Sequence, residues 1–512
     1  MRGPGPAIVT RLKQLEGHLE QENPVLLSTV QSFRELDAIA YDMGLLGPND
    51  SYATQIPWWP LITILGTFSA GKSTFINHYL GLKLQRSGNQ AVDDRFTVIC
   101  YGSSSSESHA LPGVALDSDP RFPFYKVSGE IEKVAAGEGS RIDAYLQLKT
   151  TTSPALRGKI LIDSPGFDAD AQRTSTLKIT DHIIDVSDLV LIFFDARHPE
   201  PGAMRDTLDH LVTSTIDRTD SGKFLYILNQ LDTAAREDNP EDVVAAWQRA
   251  IGERGLTAGR FFTIYNEEAA NPIADEALRQ RFQGKRDTDL AEIHERMEQV
   301  EVERAYRIVG TMEKTARSFP EKVVPALQQM TTRWRKRTLI GDALVVLLIG
   351  AGFVALTRRL GQWDGIRLNA AWWDTLTASP TSIYFTALVA LLLFLAIHFI
   401  MRRISAKSLK GAAERLGHQM GIRGSLGDAF LLNTKPWRSI FSSNPAGWKR
   451  RSRRRIQGIL DDADRYVQEL NDRFTNPSGD TAAGPSAAPR DEGHQTAVAS
   501  AAPAAVQAVK TD

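Results

Sequence analysis

The sequence predicts an α/β fold: a mostly parallel sheet with helices on both faces, flanked by long helices and followed by an apolar two-helix hairpin. Three observations carry this. An apolar run, Leu61–Leu65, opens directly into Gly66-Thr67-Phe68-Ser69-Ala70-Gly71-Lys72-Ser73. Apolar strand-like runs then alternate with helical segments as far as about residue 270, the rhythm of strand and crossover. Beyond that point, two long apolar stretches, Leu339–Leu356 and Ile383–Met401, are each long enough to cross a hydrocarbon core.

The glycine loop fits G-x-x-x-x-G-K-[ST] at every fixed position. Gly66 and Gly71 let the backbone turn so that successive N–H groups point inward as an anion nest. Thr74–Leu80 starts a helix whose N-terminus adds positive potential behind bound phosphates. The loop residues Gly66, Ser69, Ala70, Gly71, Lys72, Ser73 and Thr74 are therefore the expected phosphate site. Lys72 is placed to reach the β- and γ-phosphates, and the Ser73 hydroxyl to hold Mg²⁺, a hard ion that prefers oxygen.

Length and composition set the frame. A chain of 512 residues is too long for one core, so several domains are expected. Lys and Arg number 60 against 61 Asp and Glu, a balance that gives no support to nucleic-acid binding. The single cysteine, Cys100, precludes an intramolecular disulfide and lies in an apolar run, as a core residue would. No zinc spacing, Ser-His-Asp signature or signal-peptide core is visible.

In chain order, residues 7–43 read as two helices. Ile8, Leu12, Leu15 and Leu19 form one apolar stripe and Val30, Phe33, Leu36 and Ile39 the next, with Glu22-Asn23-Pro24 between them. Strands are expected at Phe96–Tyr101, Ala144–Leu148, Lys159–Asp163, Asp188–Asp195, Lys223–Asn229 and Phe261–Tyr265. Asp163 ends its strand and is followed by Ser164-Pro165-Gly166. Its carboxylate is suited to Mg²⁺ through water, and the Gly166 N–H to sensing the γ-phosphate. Asn229-Gln230-Leu231-Asp232 follows a later strand. A carboxylate at Asp232 accepts from guanine N1–H and the exocyclic amine, a donor pair adenine lacks. Gln230 stands where the N-K-x-D pattern has Lys.

Together, Phe68–Asn77, the Asp163-Ser164-Pro165-Gly166 turn and Asn229–Asp232 resemble the dynamin superfamily of large GTPases. The run Asp188–Arg197 is similar to the matching strand of EHD-type and bacterial dynamin-like proteins. The resemblance covers about residues 55–270 by motif. It implies a GTPase domain, stalk helices drawn from both sides of it, and nucleotide-driven work on membranes. Two departures stand out. Phe68 occupies the position where many dynamins carry a catalytic Gln. In the expected switch region, residues 89–97, Thr97 is the only Thr and sits inside a strand run, leaving Asp93 or Asp94, or a degenerate switch, as the alternatives.

Residues 271–337 carry a helical stripe, Leu290, Ile293, Met297, Val300, Ile308 and Met312, suited to a stalk. Arg333, Arg335, Lys336 and Arg337 precede the first apolar run. Arg402, Arg403, Lys407 and Lys410 follow the second. By the positive-inside rule both chain ends face the cytoplasm, although Arg358, Arg359 and Arg367 in the connecting loop weaken the bias. The basic run Lys449–Arg455 opens a helix and reads equally as a lipid-contacting or a solvated face. From Asn476 the Ala/Pro/Ser/Gly tail lacks a core.

The expected layout is therefore N-terminal stalk-associated helices (1–54), a dynamin-type GTPase domain (55–270), a helical stalk (271–337), a transmembrane hairpin (338–402), a basic helical region (403–475) and a disordered tail (476–512). Expected catalytic residues are Lys72, Ser73, Asp163 and Gly166, with Ser73 and Asp163 on Mg²⁺ and Asn229 and Asp232 on the base of GTP. Expected partners are the bilayer and further copies of the chain, joined through GTPase domains and stalk, with no specific nucleic acid. The alternatives are a slow membrane-tethered switch or scaffold for a protein partner, and an ATP-preferring EHD-like remodeller.

Overall fold

A computed structural model describes residues 3–474 apart from 87–94, 103–109, 122–126, 167–173, 198–219, 237–239, 254–258 and single positions 68, 120, 135, 269, 274 and 378. The switch candidates Asp93 and Asp94, the departure at Phe68 and the tail from 476 lie outside the described residues.

Eight strands form one sheet: β1 Leu61–Gly66, β2 Phe96–Tyr101, β3 Leu111–Pro112, β4 Leu146–Thr151, β5 Ile160–Asp163, β6 Leu189–Asp195, β7 Phe224–Asn229 and β8 Arg260–Thr263. Their order is β3-β4-β2-β5-β1-β6-β7-β8. The five strands from β5 to β8 run parallel, with β1 central between β5 and β6. β2 pairs antiparallel to β5 and parallel to β4. The central strands are apolar on both faces and fully buried, as expected where helices cover both sides.

The strand expected at Ala144–Leu148 is shifted to Leu146–Thr151, because Gly139–Ala144 winds into a 3-10 turn that ends at Tyr145. Its polar residues, Gln147, Lys149, Thr150 and Thr151, lie near the sheet edge, where an apolar run is not required. The two-residue β3 is too short to leave a periodic signal.

The two N-terminal helices, α1 Pro6–Glu22 and α2 Leu27–Met43, occur where the stripes place them. The eight stripe residues of α1 and α2 are at most 4% exposed. Gly44, at φ 77°, closes α2 in the left-handed conformation that glycine adopts at least cost. In the sheet, α3 Lys72–Leu80 follows β1.

A helix α4, Glu276–Ser318, packs against both the sheet and the N-terminal helices. Its stripe serves two partners. Ile293, Met297 and Val300 join the core around Ile62, Phe75 and Leu191, whereas Ile308 and Met312 join the core containing α1 and α2. His294 of α4 lies 6.2 Å from the Phe75 ring and 5.4 Å from the Tyr79 ring, so the helix behind the glycine loop touches α4 directly. Asp188 ties the other end of the sheet to α4: its carboxylate accepts from Leu61 N at 3.0 Å and pairs with Arg304 and Arg307.

One π-helical turn, Phe319–Val323, joins α4 to α5, Val324–Arg359. The helical path thus continues through residue 337 without a break and includes the first apolar run. The second apolar run lies in α6, Pro380–Gln419. The two runs meet at a half-buried polar contact, Asp342 Oδ2 to His398 Nδ1 at 2.6 Å. α7, Leu426–Asn433, returns towards the bundle. The last helix, α8 Arg450–Phe474, packs on α4 and α2 through Ile456, Ile459, Ala463, Tyr466 and Leu470. Its apolar face is therefore a bundle face, and the basic side chains occupy the remainder.

Candidate functional site

The glycine loop lies between β1 and α3, at the C-terminal ends of the parallel strands. Two glycines are required by contact as well as by torsion. Gly66 has φ +153°, and a Cβ there would stand 2.4 Å from the Phe193 carbonyl oxygen of β6. Gly71 has φ +83°, and a Cβ there would meet Asn229 Nδ2 at 2.2 Å. Ser69 also takes a left-handed φ of 59°, completing the curled backbone.

Lys72 is buried and lies across its own loop, donating to the Gly66 and Thr67 carbonyls, each at 3.0 Å. Burial pushes its ammonium down to about 8, opposed by the Asp163 carboxylate. Ser73 and Thr74 are half-buried on the first turn of α3. Asp163 sits at the end of β5, in register with Ile64 of β1 and Thr97 of β2. The structure therefore brings Lys72, Ser73 and Asp163 to one end of the central strands. Gly166 follows in the loop, half-buried. Ser73 and Asp163 are both oxygen donors, the set Mg²⁺ takes when phosphates and water complete its octahedron.

Thr97 is 1% exposed, and its Oγ1 accepts from Gln147 Nε2 at 2.7 Å. That hydroxyl belongs to the sheet interior.

Asn229 donates from Nδ2 to the Ala70 carbonyl at 2.9 Å, so it braces the glycine loop from the neighbouring strand. Gln230, at φ 65°, donates from Nε2 to the Ser69 carbonyl at 2.6 Å. Asp232 is buried, and its Oδ2 accepts from the backbone N of Asn271 at 2.8 Å and from Asn271 Nδ2 at 3.0 Å. Two N–H donors thus meet this carboxylate, as the donor pair of a guanine edge would.

Sequence reasoning missed four contributors. Gln85 donates from Nε2 to Asp163 Oδ2 at 2.5 Å and accepts from Lys149 Nζ. Its backbone is held in turn by Asn77, whose Oδ1 accepts from Gln85 N at 2.8 Å and whose Nδ2 donates to Gln85 O at 2.7 Å. Arg197 pairs with Asp195 at the end of β6 and reaches the Ser69 carbonyl at 3.3 Å. Asn271 is the fourth. Only the reciprocal Asn77 clamp had a local signal, an Asn one turn into the helix after the loop.

A parallel sheet centred on β1, a phosphate-type loop at its carboxyl edge, an acid ending β5 and an Asn-x-x-Asp ending β7 define a P-loop nucleotide domain of the GTPase class. Residues 62–231 match the model of the Dynamin family. The nucleotide domain of this chain is a dynamin-superfamily GTPase domain.

EH domain-containing protein 1 of Homo sapiens is 24% identical over 180 residues, covering 34% of this chain and 31% of the relative. The protein of the same name from Arabidopsis thaliana is 24% identical over 250 residues, covering 46% of this chain and 42% of the relative. The chain thus matches between about a third and two fifths of the length of these relatives. Among solved structures, an oligomerised bacterial dynamin pair, described as a mechanism for long-range sensing and tethering of membranes, aligns over 90% of this chain and 80% of its own at 13% identity and a TM-score of 0.30. Era in complex with MgGDPNP and a ribosomal RNA segment aligns over 44% and 56% at 14% identity and a TM-score of 0.24. Superpositions this loose carry no argument.

Proposed function

We propose that the protein is a membrane-anchored dynamin-like GTPase, which binds and hydrolyses GTP with Mg²⁺ and couples the cycle to remodelling, tethering, fusion or fission of the bilayer that holds it. One observation carries the reading. The helical path that packs on the sheet continues into an apolar stretch that the fold leaves uncovered. Only 6% of its most apolar 18-residue window is buried, and none of the corresponding window in α6. The core helix of a soluble protein buries such residues; here Leu347 and Leu348 are 64% and 66% exposed. Apolar faces of that extent require a bilayer or a partner.

In this reading both spans emerge on the side of the GTPase domain, flanked by Arg333, Arg335, Lys336 and Arg337 before and Arg402, Arg403, Lys407 and Lys410 after. Both termini share that side. Lys72 turns from its loop carbonyls to the β- and γ-phosphates, and the loop N–H groups from Gly66 to Thr74 cradle them. Ser73 and Asp163 are the residues that would hold Mg²⁺, and the ion would supply neutralisation of phosphate charge there. Gly166 senses the γ-phosphate. Asn229 keeps the loop in shape, and Asp232 reads the base after exchanging Asn271 for guanine. Copies of the chain assemble through GTPase domains and stalk.

A second reading is favoured by Thr97. Its hydroxyl is committed to Gln147, so a slow, membrane-tethered switch or scaffold follows if no other switch ligand serves. An ATP-preferring cycle is the remaining alternative, and displacement of bound GTP by ATP at equal concentration would overturn the reading of Asp232. The deciding experiment is GTP turnover by the full-length protein with and without liposomes, beside Lys72→Ala. Turnover that rises on liposomes and vanishes in the variant supports the remodelling GTPase. Tight binding with negligible turnover under both conditions replaces it with the switch.

A further inference from the structure

A turn on the C-terminal side of α7 sits where both apolar helices leave the proposed bilayer. Arg402, just past the second apolar run, donates to the carbonyls of Lys435 at 3.0 Å and Arg438 at 2.8 Å. Trp334, just before the first run, donates from Nε1 to the Arg402 carbonyl at 3.1 Å. The turn is thereby pinned to the emergence point of both spans.

Its surface is unusual for a soluble loop. Trp437 is 76% exposed and Phe441 is 67% exposed. Lys435 Nζ lies 4.8 Å from the Trp437 ring centroid. Beside them is an open depression of about 520 Å³ lined by Arg438, Lys449, Arg450 and Arg453 together with Trp448 and Ser442. No carboxylate lines it. Arg438 is held in place by the Asn444 carbonyl at 2.6 Å and Ser442 Oγ at 3.3 Å. Burial pushes its guanidinium down, with no neighbouring acid to offset the cost. Arg453 lies 5.9 Å from the Trp448 ring centroid. A cluster of four cations without an acid calls for an anion, and exposed Trp and Phe beside a membrane span call for the headgroup layer.

We propose that this depression binds the phosphate headgroup of an anionic phospholipid in the membrane that holds the hairpin, with Trp437 and Phe441 seated in the interfacial layer. The inference rests on the membrane-anchored reading and adds to it a lipid-selecting site outside the spans. The hairpin would hold the protein in any bilayer; the turn would choose what surrounds it.

The test uses full-length protein in nanodiscs of phosphatidylcholine mixed with phosphatidylglycerol, with the lipids that remain bound counted by native mass spectrometry. Wild type is expected to retain phosphatidylglycerol preferentially, and Arg438→Ala/Arg453→Ala to lower that preference about tenfold or more. GTP binding by the double variant reports its fold. Lys449→Ala, a milder change, should lower the preference a few-fold. Equal lipid preference in wild type and both variants overturns the site. So does inorganic phosphate that displaces phosphatidylglycerol at equal concentration, which would mark a general anion site. An alkaline carbonate wash of protein in vesicles separates the two layers of the argument. Release from vesicles defeats the anchor itself, whereas retention without lipid preference defeats only the headgroup site.

Discussion

Lys72 sits between two protonation regimes, and nucleotide binding should move it from one to the other. In the free protein, burial pushes its ammonium from 10.5 down to about 8. A bound triphosphate supplies negative charge at the same nitrogen and lifts it back towards its ordinary value. Binding therefore takes up protons near pH 8, and affinity is highest below about 8 and falls as pH rises through it. With half of the lysine neutral at pH 8, about half a proton is taken up per nucleotide. At pH 9 the affinity should be about tenfold below its low-pH limit, or ~1.4 kcal/mol. Calorimetric titration in buffers of different ionisation enthalpy counts the protons, and Lys72→Arg supplies a non-titrating control. The comparison removes the titration of GTP itself, which is common to both proteins. A wild-type profile that parallels the Arg variant, with no buffer-dependent heat at pH 8, would refute the placement of Lys72 against the phosphates.

Other consequences are as direct. Gly71→Ala forces a Cβ into the Asn229 amide at a left-handed φ, and should weaken GTP binding at least tenfold while the far-ultraviolet circular dichroism stays native. Asp232→Asn should lower GTP affinity about 100-fold, read by competition with a fluorescent analogue, and narrow the gap between GTP and ATP. Asp188→Ala leaves Arg304 buried without its acid and should cost about 3 kcal/mol, measured as a lower denaturation midpoint with little change in nucleotide affinity once folded.

What the sequence revealed was local. The glycine loop, the acid at the end of β5 and Asn229 are recognisable because the residues that do the work are neighbours in the chain, and the apolar stripes of α1, α2 and α4 because burial imposes their period. Position in space was less legible. Gln85 meets Asp163 and Lys149 across 78 and 64 residues, and Asn271 meets Asp232 across 39, with no spacing rule to predict either. The stripe of α4 showed that one face is buried but not that it changes partner between Val300 and Ile308. The helix after the basic run was readable as amphipathic, yet only its contacts with α2 and α4 distinguish a bundle face from a membrane face.

The π turn at Phe319–Val323 bears on how force would travel. From Val300, packed on the sheet, to Leu339, where the apolar run begins, the helical path is about 58 Å long at 1.5 Å per residue. A tilt of about 5° at its base would displace the far end by about 5 Å, so in the proposed cycle small adjustments at the glycine loop, passed through Phe75 and Tyr79 to His294, would become a lever stroke. The π turn is the joint in that lever. Pro320 lies within it and Pro325 just beyond it, and both lack amide protons, so the backbone ladder is weakest there. A stiff rod transmits angle, whereas a jointed one stores part of it as bend; replacing the joint with regular helix would trade compliance for stroke.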